Sequence, residues 1–170
     1  MKKTIVTIII AACLLSLVAI LALRHFRIGP SANSELYSQL FLAAQNGHPE
    51  EVEQSLQIGA NIEAQYPHVS TLLLVGTYSG QIDVVKLLLQ HKANIKAKDD
   101  DGQKALFQPA LNDDTYQDRP YNGDTEVTKF LLSKVANVNA VDKKGSTALR
   151  EAVNHHKAAI AMLLRAKGAH

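Results

Sequence analysis

The sequence has 170 residues, of which 46% are hydrophobic and 20% are charged, and its formal net charge is +2. Residues 4–23 carry no charge, so the roughly 143 residues from Ile28 onward suffice for one compact domain but not for two. Because this part holds 14 Lys and Arg against 16 Asp and Glu, it offers no general basic surface, and no nucleic-acid partner is expected.

Residues 1–27 are predicted to form an N-terminal anchor or signal with an apolar helix at 4–23. Twenty residues at about 1.5 Å per residue span about 30 Å, the thickness of a hydrocarbon core. This length favours an uncleaved transmembrane helix over a cleaved export signal. A lipoprotein signal ending at Cys13, the chain's single cysteine, is a third interpretation.

The leader Met1-Lys2-Lys3 resembles a bacterial export signal and favours an N-terminus on the cytoplasmic side. We therefore expect a single-pass inner-membrane protein whose folded domain lies in the periplasm. Residues 28–33 contain Gly29-Pro30 and are predicted to be a linker, with the folded domain occupying residues 34–170.

The folded part repeats with a period of 33 residues. Ala60-Asn61-Ile62 recurs as Ala93-Asn94-Ile95, and Ala136 is followed by Ala169 at the same interval. Between Ala93 and Ala136 the interval is 43 residues, one period plus an insertion of ten. The apolar runs have helical spacing but are too short to be stable alone, so each helix pair must pack against the next.

These units resemble ankyrin repeats. Residues 43–48, AAQNGH, match the family's link between two helices, residues 59–64, GANIEA, match its closing turn, and Thr71-Leu72-Leu73 stands at its T-P-L position. The resemblance covers residues 34–170 and implies an all-α solenoid of about four helix-turn-helix units with hairpin-like fingers. The apolar segment 4–23 adds one predicted transmembrane helix before this solenoid. The unit boundaries are about 34–66, 67–99, 100–141 and 142–170.

Two departures from the family pattern have structural consequences. The histidine of T-P-L-H is replaced in every unit, by Phe41, Leu74, Phe107 and Arg150, which predicts packing in place of a polar network. The glycine that ends each second helix in a left-handed conformation is kept as Gly59 and Gly168 but is replaced by Lys92 and Val135. A side chain at such a position predicts backbone strain.

The insertion lies near residues 112–122, between the two helices of the third unit. It contains Tyr116, Arg119 and Tyr121, residue types that are enriched at binding hot spots. A solvated insertion without function is the alternative, since added loop length costs little entropy.

The sequence holds no arrangement typical of an enzyme or a metal site. His155 and His156 are adjacent and diverge by about 100° on a helix, so they cannot chelate one ion as an i, i+4 pair would. The acidic runs at 99–101 and 113–114 lack the spacing and closing Glu of a calcium loop. We expect no catalysis, no metal, no cofactor and no small-molecule substrate.

Charge is distributed unevenly along the folded part. Residues 28–66 contain five Glu and no Lys or Arg, whereas residues 142–170 contain six basic and two acidic residues. This pattern predicts a solenoid with an acidic end and a basic end. The distal basic end then favours an acidic partner, although charged ends that merely solvate the solenoid are the alternative.

The resemblance implies a protein-protein interaction module whose partner lies against the concave surface of finger tips and first helices. Carried over from the family by motif position, or added from the insertion, the expected contact residues are Gln45, Asn46, Pro67, His68, Ser70, Tyr78, Ser79, Asp100, Asp101, Gln103, Tyr116, Arg119, Tyr121, Lys143, Lys144, Ser146, Asn154 and His155. Three roles remain open at this stage: an inhibitor or immunity protein against a toxin or lipase, a stabilising partner of a periplasmic enzyme, and a tether in an envelope complex.

Overall fold

The computed structural model describes residues 30–65, 70–111, 123–134 and 137–170, with side chains from Glu35 onward. In these ranges the secondary structure is helical, apart from three isolated antiparallel β-bridges. The helices are α1 (Pro30–Asn46), α2 (Pro49–Gln57), α3 (Leu72–Tyr78), α4 (Ile82–Gln90), α5 (Gln108–Leu111), α6 (Gly123–Lys134), α7 (Ala148–Asn154) and α8 (Ala158–Ala166).

The helices are arranged as stacked pairs. Within a unit, α3 packs on α4 and α7 packs on α8. Between units, the second helices α2, α4, α6 and α8 pack in series, and so do the first helices α3, α5 and α7. Each pair therefore buries its apolar side against its neighbours, which is the solenoid architecture expected from the sequence.

Threonines and prolines fix several helix starts. Thr71 and Thr147 cap α3 and α7, because each hydroxyl accepts a hydrogen bond from the backbone N–H three residues later. Pro49 occupies the first turn of α2, where its missing N–H has no cost. Pro30 begins α1 in the same way, so the linker predicted for residues 28–33 is helical from Pro30 onward.

Three of the four residues at the replaced histidine position belong to the core. Phe41, Leu74 and Phe107 are at most 5% exposed, so packing replaces the polar network there as predicted. The prediction is wrong for Arg150, which is exposed. A charged side chain is suited to such an exposed position.

The fingers predicted between the units are present. Each is closed by one antiparallel bridge, and the three bridges join Gln65 to Thr71, Lys98 to Lys104 and Val141 to Thr147. We call these finger 1, finger 2 and finger 3. Finger 1 is described only at its base, because residues 66–69 lie outside the described ranges.

Two residues other than glycine adopt the left-handed backbone conformation. Lys92 has φ +66° at the position where Gly59 and Gly168 end their second helices, which confirms the prediction for Lys92. His156 has φ +57° at the link between α7 and α8, where Gly47 and Gly80 stand in earlier units. Val135 lies outside the described residues.

Replacing Lys92 or His156 by glycine is expected to raise the free energy of unfolding by about 0.5–1 kcal/mol each. Glycine relieves the left-handed strain of an L-residue, and part of that gain is offset by the greater freedom of glycine in the unfolded chain. The measurement is the thermal midpoint followed by far-UV circular dichroism. Lys167→Gly is the control, because Lys167 has φ −101° and no such strain to relieve; an equal gain there would contradict the explanation.

No helix in residues 30–65, 70–111, 123–134 and 137–170 is long and apolar enough to cross a bilayer. The apolar segment 4–23 lies outside these ranges.

Candidate functional site

Fingers 2 and 3 are built by the same turn, and an aspartate holds each one. In finger 2, Asp99 Oδ1 accepts hydrogen bonds from the backbone N–H groups of Asp101 (3.0 Å) and Gln103 (2.8 Å). In finger 3, Asp142 Oδ1 accepts from Lys144 and Ser146, both at 2.8 Å. These local bonds explain why the D-x-x-G segments of the sequence form turns with Gly102 and Gly145 in the left-handed conformation.

Each finger is also fixed to the first helix that follows it. The Gln108 amide in α5 donates to Asp99 Oδ2 at 3.0 Å. The Ser146 hydroxyl donates to the carboxylate of Glu151 in α7. The turns and the first helices are therefore held together by side-chain hydrogen bonds, which limits the entropy that either element would lose on binding a partner.

Fingers 2 and 3 contact each other directly. The backbone N–H of Lys143 donates to the carbonyl of Asp101 at 2.9 Å, and the Lys143 ammonium donates to the carbonyl of Asp100. The exposed charges change sign between the fingers, because Asp100 and Asp101 precede Lys143 and Lys144. A partner lying across both tips would meet acidic and then basic groups.

Burial opposes the charge on Asp142 and raises its pKa, but the backbone N–H groups of Ser146 and Lys144 stabilise the carboxylate, so the net effect holds the pKa below its usual value. The finger 3 turn thus contains a carboxylate that stays ionised well into the acidic range. The pKa of Glu53 on α2 is lowered as well. The hydrogen bond from Gln57 is the main cause, and partial desolvation opposes it. His91 at the end of α4 lowers the pKa further, since its Nε2 lies 2.7 Å from Glu53 Oε2.

Nine of the expected contact residues are exposed. Tyr78 is the largest of them and is 40% exposed. These residues are Gln45, Asn46, Tyr78, Asp100, Asp101, Lys143, Lys144, Asn154 and His155. Together with Leu42 they define what we call the finger surface, and Ser70 stands half-buried at the base of finger 1.

Three of the expected contact residues are buried. Ser79, Gln103 and Ser146 are at most 7% exposed. Ser79 ends α3 by donating its backbone N–H to Val75, and the other two complete the aspartate-held turns. These residues therefore contribute to helix ends and turns of the fold, and their role in binding stays a prediction.

Five expected contact residues lie outside the described ranges: Pro67, His68, Tyr116, Arg119 and Tyr121. Their role in binding stays a prediction.

The sequence analysis missed Leu42, the most exposed large apolar residue of the first helices. Leu42 is 54% exposed and lies three residues before Gln45, so both side chains share one face of α1. In two later units the residue equivalent to Leu42 is Val75, three residues before Tyr78, and Glu151, three residues before Asn154; both are half-buried. The i, i+3 spacing from the expected contact residues would have identified it.

The described residues contain no group of three or more His, Cys, Asp or Glu side chains able to hold a metal ion. Three histidines lie beside glutamates: His48 Nδ1 is 3.3 Å from Glu51, and His155 Nε2 is 3.7 Å from Glu151, in addition to the His91–Glu53 pair. Pairs of this kind link neighbouring turns or units at the surface and contribute little stability.

The chain was compared with known protein families. The family model of ankyrin repeats (three copies) matches residues 40–117. Beyond that match, finger 3 and the pair α7 and α8 repeat the same arrangement of bridge, capped first helix and second helix up to the end of the chain.

Proposed function

Because this chain is an ankyrin-repeat protein, we propose that it is a membrane-anchored interaction module that binds a partner protein across its finger surface. Ankyrin repeats are a non-catalytic interaction fold. The observation that carries the proposal is the finger surface itself. It combines the exposed side chains of Leu42 on α1 and Tyr78 on α3 with fingers 2 and 3, which hydrogen bonds hold to α5 and α7.

The chemistry of the finger surface favours a partner with an apolar anchor and mixed charge. Tyr78 belongs to a residue type enriched at binding hot spots, which favours it as an anchor, and Leu42 adds exposed apolar area on the neighbouring first helix. The fingers present Asp100 and Asp101 followed by Lys143 and Lys144. Exposed Arg150, Arg165 and Lys167 make the distal end basic, which would accelerate association with an acidic partner.

Anchoring rests on the sequence of residues 4–23, whose length matches a bilayer core. We place the solenoid in the periplasm. A reporter that is active only in the cytoplasm, fused after His170, is expected to remain silent, and a signal would overturn this placement.

Within this function, the role we favour is that of an inhibitor or immunity protein, which blocks a toxin or lipase that reaches the periplasm. A stabilising partner of a periplasmic enzyme and a tether in an envelope complex are the alternatives. Replacing the anchor by a cleavable signal separates them. An inhibitor keeps its protection when released, a tether loses its function, and a stabiliser is recognised because its removal lowers the partner's activity.

Truncating the apolar anchors is expected to weaken binding without unfolding the chain. Leu42→Ala and Tyr78→Ala should each lower the affinity for the partner about 10- to 100-fold, measured by titration with the partner recovered by crosslinking in cells. The thermal midpoint should move little in Leu42→Ala, because this side chain is 54% exposed, and somewhat more in Tyr78→Ala, because Tyr78 is 40% exposed. Ile58→Ala and Met162→Ala are matched controls, since these side chains are 70% and 69% exposed, but Ile58 directly follows the second helix α2 and Met162 lies on the second helix α8.

Equal losses in the two control variants would assign binding to the second helices and overturn the proposal. A triple change of Tyr116, Arg119 and Tyr121 to Ala tests the insertion separately: an unchanged affinity would leave the insertion as solvated chain, whereas a tenfold loss would add it to the binding surface.

A further inference from the structure

A hydrogen bond recurs at the junctions between units. At two of them, the turn after the second helix donates a backbone N–H to a side-chain oxygen of the preceding unit. Asn94 donates to Glu63 Oε1 at 2.7 Å, and His170 donates to Asn139 Oδ1 at 3.1 Å. Glu63 and Asn139 occupy equivalent positions, two residues after the asparagine of the closing turn.

Among the described residues, the junction between the second and third units lacks this bond. The residue equivalent to Glu63 and Asn139 is Lys96, and an ammonium group has no lone pair with which to accept. Asn137 is the residue equivalent to Asn94 and is exposed, and its backbone N–H finds no acceptor among the described residues. The acceptor supplied by the chain at the neighbouring junctions is therefore missing at this one.

A cavity of about 290 Å³ opens at this junction. Its volume is just below the range typical of small-molecule sites, about 300–1,000 Å³, so it suits a small ligand. The floor is apolar and comes from both units: Ile95, Leu106, Phe107, Val138 and Ala140. Asn137 lies on its wall.

The rim of the cavity is positively charged. Lys96, Lys104 and Lys134 line it, and none of them forms an ion pair within the part of the chain that the structure describes. The Lys134 ammonium lies 5.7 Å from the centre of the Phe130 ring. Three cations around an apolar cavity repel one another unless an anion enters.

Finger 2 adds a fourth cation to this region. Lys98 stands opposite Lys104 in the β-bridge, where like charges are unfavourable, whereas the equivalent pairs in fingers 1 and 3 are Gln65–Thr71 and Val141–Thr147. The fold therefore does not require lysines at these positions, since two other fingers form without them.

We propose that this cavity binds the anion of a medium-chain fatty acid. The carboxylate lies between the ammonium groups of Lys96 and Lys104 and accepts the backbone N–H of Asn137, and the alkyl chain covers the floor around Leu106 and Phe107. The ligand supplies the missing acceptor and neutralises the rim in one step. The cavity offers one backbone N–H, that of Asn137, which suits a single carboxylate. An extended polypeptide would bring many backbone N–H and C=O groups that need hydrogen-bond partners. This inference is independent of the proposed protein partner.

The test uses the full chain in nanodiscs of phosphatidylcholine and a decanoate probe with a diazirine on its alkyl chain. After irradiation and digestion, we expect labelled peptides from residues 95–107 and 137–140. Excess decanoate should remove this label, and decyltrimethylammonium should not. An equal effect of the two competitors would show that charge is not recognised, and absence of label from these peptides in the native chain would also overturn the proposal.

Lys96→Glu is the most informative variant, because it restores at this junction the acceptor that Glu63 provides at the preceding one. It should fold at least as stably as the native chain and lose labelling at least tenfold. Lys104→Gln, which keeps most of its stem, should also lose labelling. Lys129→Gln is the matched control, because Lys129 is exposed on the same helix as Lys134 but does not line the cavity.

Three outcomes with folded variants would overturn the assignment: unchanged labelling in Lys96→Glu, unchanged labelling in Lys104→Gln, or an equal loss in Lys129→Gln. An acidic peptide containing Leu and Phe that competes more strongly than decanoate would assign the cavity to a polypeptide, and the fatty-acid proposal would be wrong. Labelling lost in both Lys96→Glu and Lys104→Gln, with thermal midpoints retained, supports it.

Discussion

Replacing Gly123 by valine is expected to lower the free energy of unfolding by about 3 kcal/mol, the upper part of the range for overpacking. Gly123 is buried at the start of α6, where a Cβ atom would lie 2.5 Å from the carbonyl oxygen of Gly80. The obstacle is backbone at the link between α3 and α4, so no side-chain rotation can relieve it. The readout is the denaturation midpoint with its slope, from which the free energy is obtained.

Gly59→Ala is the control for Gly123. Gly59 has φ +99°, and a Cβ there meets no atom within 4 Å, so its replacement costs only the backbone strain of about 1–2 kcal/mol. Gly123 has no such φ, and its cost is steric alone. A loss below 1 kcal/mol in Gly123→Val would mean that the units separate easily at this junction.

Removing the carboxylate of Asp142 is expected to cost about 2 kcal/mol. Asp142→Ala leaves the backbone N–H groups of Lys144 and Ser146 without their acceptor, and a buried donor left unpaired costs about 1–3 kcal/mol. Asp100→Ala on finger 2 is the control, because this side chain is exposed and accepts no recorded hydrogen bond; its effect should stay within about 0.5 kcal/mol. Equal effects at the two positions would contradict the role of the turn.

The same carboxylate predicts how stability depends on pH. The folded-state pKa of Asp142 is lowered, so its stabilising contribution is fully present above the unfolded value of 3.8 and is lost as the pH falls through the folded value. The pKa of Glu53 is also lowered from its usual value of 4.5, so its contribution to stability is likewise lost as the pH falls. The thermal midpoint should therefore decrease below about pH 4. Asp142→Asn, which keeps the acceptor oxygen without the charge, should show a shallower decrease, and an identical profile would contradict the assignment to Asp142.

Much of the architecture could be predicted because its determinants are local. The period of 33 residues, the capping threonines and the D-x-x-G turns each specify a short element from its own residues. Lys92 shows the same logic, since its place in the repeat was enough to predict a left-handed conformation without glycine. His156 was missed, although the alignment of its unit with Gly47 and Gly80 would have revealed it.

The candidate site was less predictable because contact positions carried over from a family say nothing about local burial. Ser79, Gln103 and Ser146 lie at positions that the family uses for binding, yet here they complete helix ends and turns. Leu42, which the motif did not mark, is exposed because nothing in the described part covers that side of α1. Burial depends on side chains brought together from different units, which spacing along the chain does not encode.

By itself, the sequence determined that a long uncharged segment precedes a weakly acidic repeat domain, and that this domain is made of helix pairs with fingers. Only the tertiary structure decided that Gly80 and Gly123 meet, that Asp101 and Lys143 join two fingers, and that Lys96 leaves one junction without an acceptor. The physical reason is the same in all three cases. Each depends on the distance between atoms that lie more than 40 positions apart in the chain, and stacking of the units alone sets that distance.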